Sequence, residues 1–381
     1  MFLSGVDPIL TAARAAIVHD FFIQDGGAER CAIEFTRLIP NADVETSFFD
    51  ASRFMDRIDP GRVRTWPLQR LFGPTRRFRV LLPLYPAWFG TRDLGQYDLV
   101  LSSSIAFAKA VRTRREATHV SYVYTPVRYA WDLETYLAGS SLSHASRVAA
   151  RTFQPWLRRW DIATSRRPDV VVAISETVRA RIRRCWGREV DAVIYPPVDT
   201  SEIALSNRDD GFLLVAARLL AYRRLDLAVA AATRLGRDLV IVGDGPERRR
   251  LEAIAGPTVR FLGHVDRPIL VDLFARCHAY IVPGEEDFGI APVEAMAAGK
   301  PVVALRAGGV SETVVDGVTG VFFDSPTVAD LAAALSRLES LQFERAVIRG
   351  HAVRFDTEVF LNSWRTLLTG LGHGPLLDSG S

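Results

Sequence analysis

At 381 residues the chain has room for two domains of ordinary size, each with its own core. Its 48% hydrophobic and 24% charged content is that of a folded, water-facing protein, and no apolar run approaches the roughly 20 residues of a membrane span. The net charge is only +3, and no recognised nucleic-acid motif accompanies it, so no nucleic-acid partner is expected.

Three scattered cysteines (Cys31, Cys185, Cys277) offer neither a disulfide framework nor metal-ligand spacing. The first residues, Met1 to Arg14, lack a basic region followed by an apolar one, so a cytoplasmic location is expected. Only Lys109 and Lys300 are lysines among 47 basic residues. Two basic-aromatic stretches stand out, Arg62 to Arg92 and Arg147 to Arg167. They suit either peripheral contact with the inner face of an anionic membrane or ordinary helices with solvated arginines.

In chain order, short apolar strand candidates alternate with longer helical patterns, the signature of parallel α/β layers. The strands expected in the first half are Ala15–His19, Val44–Phe48, Leu99–Ser102, His119–Tyr124, Val170–Ile174 and Ala192–Tyr195. The second half repeats the scheme at Phe212–Ala216, Asp238–Val242, Val259–Leu262, Ala279–Val282, Pro301–Leu305 and Gly320–Phe323. The stiff run Tyr195-Pro-Pro-Val-Asp199 suits a boundary between halves. A helical pattern rich in apolar residues covers Phe355 to Leu371, and the Gly/Ser-rich end is expected to be mobile.

Several motifs could carry chemistry. The first strand ends His19-Asp20, and Gly26-Gly27-Ala28-Glu29 follows, where glycines at a helix start let backbone N–H groups approach an anion. Strand Phe212–Ala216 runs into Arg218-Leu-Leu-Ala-Tyr-Arg223-Arg224-Leu-Asp226. The run Pro283-Gly-Glu-Glu286-Asp-Phe288-Gly289-Ile290-Ala-Pro292-Val-Glu294 places two carboxylates on the loop after a strand and in the first turn of a helix opening near Pro292. Open parallel sheets bind ligands at such places. As isolated features these residues read equally as a dipole-complementing acid, a solvated loop charge, and arginines paired to Asp226 or Glu247.

Together, and above all from Pro283 to Glu312, the motifs resemble those of retaining glycosyltransferases of family 4. That resemblance runs from Ala15 to about Leu368 and implies an α/β GT-B fold, two doubly wound Rossmann-like domains facing across a cleft. The implied division is an acceptor-binding domain at 1–196, a nucleotide-sugar-binding domain at 197–354, a helix at 355–371 crossing back to the first domain, and a tail at 372–381. Ser102 to Lys109 and Tyr122-Val-Tyr124-Thr-Pro-Val-Arg128-Tyr-Ala-Trp-Asp132 narrow the likeness to bacterial mannosyltransferases of O-antigen and exopolysaccharide synthesis. That subgroup carries histidine where Ile105 and Tyr124 stand here.

By resemblance, Glu294 holds the ribose diol, Glu286 the donor sugar's hydroxyls, and Phe288, Gly289 and Ile290 supply backbone N–H groups. Val265 lies by the base, and Gly26 and Gly27 approach the donor phosphates. Arg218 and Arg223, the latter in place of the family's lysine, would neutralise the departing diphosphate without a metal or other cofactor. Tyr124 stands near the reacting carbon, while Asp20, Arg128 and Asp132 face the acceptor or order its loop. An internal ion pair of Arg128 with Asp132 is the plainer reading of those two residues.

The implied reaction is retaining transfer of a hexosyl group, mannosyl from GDP-mannose as first choice, from a nucleotide-diphosphate sugar. The acceptor is a saccharide, a polyprenyl-linked chain or a natural product. The alternative is a nucleotide-sugar-binding relative that is inactive or makes an unusual linkage, because both subgroup histidines are missing. An epimerase lacks an assigned acid/base cluster, and a pyridoxal-dependent phosphorylase has only Lys109 and Lys300 to draw on.

Overall fold

The computed structural model describes residues 13–67, 69–73, 81, 83–134 and 143–377. Part of the first basic-aromatic stretch, 74–80, and part of the tail, 378–381, lie outside the described residues. Two parallel sheets organise the chain. The first contains β1 (Ala15–His19), β2 (Asp43–Thr46), β3 (Val63–Thr65), β4 (Leu99–Ser104), β5 (Thr118–Val123), β6 (Val170–Ala173) and β7 (Ala192–Val193), in the order β3-β2-β1-β4-β5-β6-β7. The second contains β8 (Leu213–Ala216), β9 (Leu239–Val242), β10 (Val259–Gly263), β11 (Ala279–Val282), β12 (Val302–Leu305) and β13 (Gly320–Phe323), in the order β10-β9-β8-β11-β12-β13. Every strand expected from the sequence is present, with ends moved by a residue or two. β3 was not expected, because three residues inside a basic-aromatic stretch show no periodicity.

The strands form where they do because burial on both faces favours apolar side chains at most positions, with polar exceptions such as His19, Ser102, Ser103 and Ser104 near strand ends. β1, β4, β9, β11, β12 and β13 are buried along their whole length. In the second sheet Leu213, Val215, Ile241, Ile281, Val303 and Val321 pack with Leu225, Val229, Leu331 and Leu335 from the helices Leu225–Leu235 and Val328–Glu339. Fully burying one such side chain contributes about 1.5–3 kcal/mol. Both lysines are core residues, each only 1% exposed.

The chain divides into two compact units: the described residues up to Ser121 with Arg167–Val170 and the end from Arg365, and the larger remainder, Tyr122–Arg166 with Val171–Trp364. The last helix, Thr357–Gly370, therefore contributes to both. In the larger unit its Phe360 and Trp364 rings lie 5.9 and 5.3 Å from that of Tyr122.

Strand order decides where function can be built. In each sheet it reverses once, between β1 and β4 and between β8 and β11, and the loops leaving those strands diverge there. The loop after β11 is fixed on two sides. A Cβ at Gly284 would stand 2.7 Å from the backbone of Tyr222 and Arg223. A Cβ at Gly308 would stand 2.2 Å from the Glu286 carbonyl oxygen, and Gly308 has φ +73° besides. The Gly309 N–H donates to that same carbonyl at 2.7 Å.

Gly284→Ala is therefore expected to lower unfolding free energy by about 1–3 kcal/mol through overpacking. Gly350, inside the helix Arg345–Ala352 with open space at its Cβ, provides the contrast. Gly350→Ala should stabilise by about 0.5–1 kcal/mol. Urea denaturation of both variants checks the pair, and equal effects would show that the loop is not fixed by close backbone approach.

Candidate functional site

At the β8/β11 reversal, the loop 283–289 carries Glu285, Glu286 and Asp287 in succession. The Arg223 Nη1 donates to Glu286 Oε1. The Arg128 Nη2 donates to Asp287 Oδ2, and Arg181 reaches Asp287 Oδ1 at 2.5 Å and Glu285 Oε1 at 2.7 Å. Tyr222 lies under two of these guanidinium groups, its ring centroid 4.9 Å from Arg128 and 5.6 Å from Arg223. Ser175 caps the helix Glu176–Trp186 and donates its hydroxyl to the Asp287 carbonyl at 2.6 Å.

Adjacent carboxyls in this run are driven apart. Burial pushes Glu286 upward, opposed by Arg223. Burial acts on Asp287 as well, but Arg128 and Arg181 outweigh it and hold the carboxyl below its usual range. For Arg223, burial disfavours the charge and Glu286 more than offsets it, so the guanidinium proton is held more tightly than usual. Splitting the proton affinities of neighbouring acids is how one site obtains two roles from one residue type.

The plainer pairings expected of these arginines are met in part. Arg224, not Arg223, pairs with Asp226, at 3.2 Å, and Arg250 pairs with Glu247 at 2.6 Å. Arg128 does not pair with Asp132, whose backbone N–H instead donates to the Arg128 carbonyl at 2.6 Å. Arg128 finds its partner 159 residues away. Glu294 also stands elsewhere than expected. Gly289, at φ 92°, caps a helix running Ile290–Ala297, so Pro292 is its third residue and Glu294 falls in the second turn. Glu294 is buried, and Arg267 Nη1 donates to it at 2.6 Å.

Phe288 turns its ring inward, 5.6 Å from both Tyr195 and Phe355. Gly289 and Ile290 open the helix, Val265 lies in the turn after β10, and Arg218 is exposed just beyond β8. Tyr124 is buried beside Tyr122, rings 5.3 Å apart, and Asp132 is exposed.

The smaller unit uses the β1/β4 reversal in a different way. Asp20 is fully buried, and its two oxygens accept from the backbone N–H groups of Ile105, Ala106, Phe107 and Ala108 at 2.6 to 3.2 Å. The carboxylate thus orders the loop after β4. His19 next to it is buried and neutral, its pKa lowered by burial to about 3. Gly26 caps the helix Gly27–Leu38, and Glu29 is its third residue. The Glu29 Oε2 lies 2.6 Å from where a Cβ at Gly26 would stand, so a larger residue there would displace the carboxyl. Burial, and then Asp25, push Glu29 up to about 8.

Asp287, Arg181, Tyr222, Arg267 and Glu29 were not singled out as site residues in the sequence. Asp287 lies inside the most informative run but reads there as a turn residue. Arg181 is one of several arginines on a basic helix, and only its tertiary partners distinguish it.

Two family models match the chain side by side: "Glycosyltransferase Family 4" over residues 25–202 and "Glycosyl transferases group 1" over residues 199–353. Solved structures similar over nearly the whole chain include the Anabaena protein HepE in complex with UDP (TM-score 0.67, 19% identity, 94% of this chain and 100% of that one). Another is a lipopolysaccharide outer core galactosyltransferase (TM-score 0.63, 16% identity, 94% and 99%). The fold is GT-B. The first half is similar to the family 4 model and the second half to the group 1 glycosyltransferase model.

Among curated relatives of this GT-B chain, a GDP-mannose-dependent alpha-mannosyltransferase of Mycolicibacterium smegmatis is 32% identical over 50% of this chain and 52% of its own. A sulfoquinovosyl transferase of Arabidopsis thaliana is 31% identical over 49% of this chain and 38% of its own. The GT-B chain thus spans about half or less of the length of these two relatives.

Glu29 gives a test with a defined sign. Its folded value of about 8 lies above the ordinary 4.5, so the folded state holds a proton that the unfolded state releases between those values. Stability from this group is complete below pH 4.5 and is lost as pH rises toward 8. His19, partly protonated near pH 6.5 only in the unfolded state, contributes equally to both variants and cancels in their comparison. From pH 6.5 to 8, wild type should lose on the order of 1–2 kcal/mol more than Glu29→Gln. Parallel curves in pH-dependent thermal unfolding would contradict a neutral buried Glu29.

Proposed function

We propose that the protein is a retaining glycosyltransferase that moves a hexosyl group from a nucleotide-diphosphate sugar to a hydroxyl of a saccharide, polyprenyl-linked or natural-product acceptor. One observation carries the reading: the Arg223–Glu286 pair at the β8/β11 reversal, a guanidinium beside a carboxyl where parallel sheets bind phosphate-bearing ligands. GDP-mannose is the first donor to try, because the mycobacterial relative is named for it.

In this reading Arg218 and Arg223 meet the diphosphate. Arg223 then exchanges part of its contact with Glu286 for the leaving group, where negative charge develops as the sugar–oxygen bond breaks. Glu286 accepts from sugar hydroxyls, and Glu294, oriented by Arg267, accepts from the ribose diol. Backbone N–H groups at Phe288, Gly289 and Ile290 face the donor, with Val265 by the base. Gly26 and Gly27 approach its phosphates, their turn held by Glu29. Attack on the same face as departure lets the leaving phosphate take the acceptor proton, so no strong protein base is needed. Tyr124 orients groups near the reacting carbon, while Asp20, Arg128 and Asp132 shape the loops around the acceptor.

Arg223→Ala should lower kcat/KM by about 10²–10³, the effect of losing one donor to developing charge. Two guanidinium groups take the part that a divalent cation plays elsewhere, so turnover should survive EDTA. Loss of activity restored by Mg²⁺ or Mn²⁺ would refute that role. A thermal-shift panel of nucleoside diphosphates tests the donor: selective stabilisation by GDP supports mannosyl transfer, and preference for UDP or dTDP removes it.

The second reading, a nucleotide-sugar binder without ordinary transfer, rests on Ile105 and Tyr124. Donor binding with neither transfer nor hydrolysis, in the presence of cell-derived acceptors, would favour it. Peripheral membrane contact rests on the helix His144–Thr164, where Phe153 and Trp156 are exposed, rings 4.6 Å apart, among arginines. No helix among the described residues is long and apolar enough to cross a membrane.

A further inference from the structure

The three successive acids after β11 do not face one ligand. Glu286 forms a parallel bridge with Gly308, which marks extended backbone, and extended backbone sends successive side chains to opposite sides. Glu286 accordingly lines a small hollow with Arg223, Tyr280 and Gly284. Glu285 and Asp287 line a different cavity, of about 410 Å³, together with Thr125, Trp131 and Asp132. That volume suits a small ligand.

Four arginines border this second cavity: Arg128, Arg181, Arg184 and Arg224. Asp287 holds Arg128 and Arg181, as described above. The other two are less committed. Arg184, one helical turn after Arg181, makes no ion pair with any described carboxylate. Arg224 reaches only its neighbour Asp226, at 3.2 to 3.4 Å. It does so from the left-handed region, at φ 51° and ψ 37°, the one non-glycine residue with positive φ among those described. An arginine kept in a conformation that glycine adopts without strain indicates that its side chain has a use.

We infer that this cavity binds the acceptor and that the acceptor carries a phosphate or diphosphate, gripped by Arg184 and Arg224. The inference rests on the glycosyl-transfer reading for calling the ligand an acceptor. The anion site itself is argued from the guanidinium groups alone. Phosphate suits them because a guanidinium offers paired N–H donors to two of its oxygens. The donor's own diphosphate belongs to the other face of the loop, with Arg223. The phosphate comes from a soluble sugar phosphate or from a polyprenyl diphosphate, and the same arginines serve both.

Calorimetry on the full chain, with nucleoside diphosphate present, separates these sources. One arm titrates glucose 6-phosphate against glucose, and the other a short-chain polyprenyl diphosphate in detergent against the matching alcohol. In at least one arm the phosphorylated ligand should bind tenfold or more tightly than its neutral counterpart. Arg184→Ala and Arg224→Gly should each weaken that binding at least fivefold, with nucleoside diphosphate affinity within twofold of wild type. Glycine fits φ 51°, so Arg224→Gly removes the guanidinium without backbone strain, and its thermal unfolding should be no lower than wild type. Equal binding of phosphorylated and neutral ligands in both arms, or undiminished binding by both variants, overturns the proposal. Absence of nucleoside diphosphate binding in wild type is a separate result, which overturns the donor reading and leaves the anion site to be judged on the phosphate arms.

Discussion

Close backbone contact on both sides of the loop after β11 is the constraint on which the rest of the site depends. Gly284 lets the chain touch the Tyr222–Arg223 backbone, and Gly308 lets the opposite strand-end touch the Glu286 carbonyl. With backbone fixed at both ends, side-chain direction follows from strand geometry alone. Three adjacent acids would repel one another if they shared a face. Alternation gives each an arginine instead: Glu285 with Arg181, Glu286 with Arg223, Asp287 with Arg128 and Arg181.

The two sheets reverse strand order in the same way but use the resulting crevices differently. At β1/β4 a carboxylate is consumed by four backbone N–H groups, and such a contact has no substitute once the loop is folded. At β8/β11 the carboxyls meet side chains that a ligand can also engage. Removing one member of a buried ion pair costs roughly 3–5 kcal/mol, because the other charge is stranded. In the proposed reading, an incoming phosphate would avoid that cost by replacing the carboxylate as the counter-charge. The first crevice is therefore built to stay in one arrangement, and under the proposed function the second exchanges partners.

Much of this was legible in the sequence for a physical reason. Strands buried on both faces are mostly apolar, so Ala15–His19, Ala279–Val282 and Gly320–Phe323 could be placed to the residue. Glycine runs at Gly26-Gly27 and Gly308-Gly309 mark close approach wherever they occur. The partners of charged residues were not legible. Arg128 and Asp287 are 159 residues apart, and nothing local distinguishes Arg181 from the other arginines of its helix. The helix start at Ile290 was misplaced because Pro292 is a strong local signal, whereas the positive φ of Gly289 is set by the fold.

The burial of both lysines has a consequence of another kind. Lys109 donates its ammonium to the Ala106 carbonyl, and Lys300 donates to the Arg208 carbonyl. The basic surface is consequently arginine throughout, with no exposed lysine amine. Acylating reagents and lysine-directed cross-linkers find no accessible side chain on the folded chain, and acetylation or ubiquitin attachment at lysine would require local unfolding. Guanidinium groups also keep their charge through any pH the fold survives. The electrostatic character of this surface is permanent, open to change by salt but not by acylation or alkali.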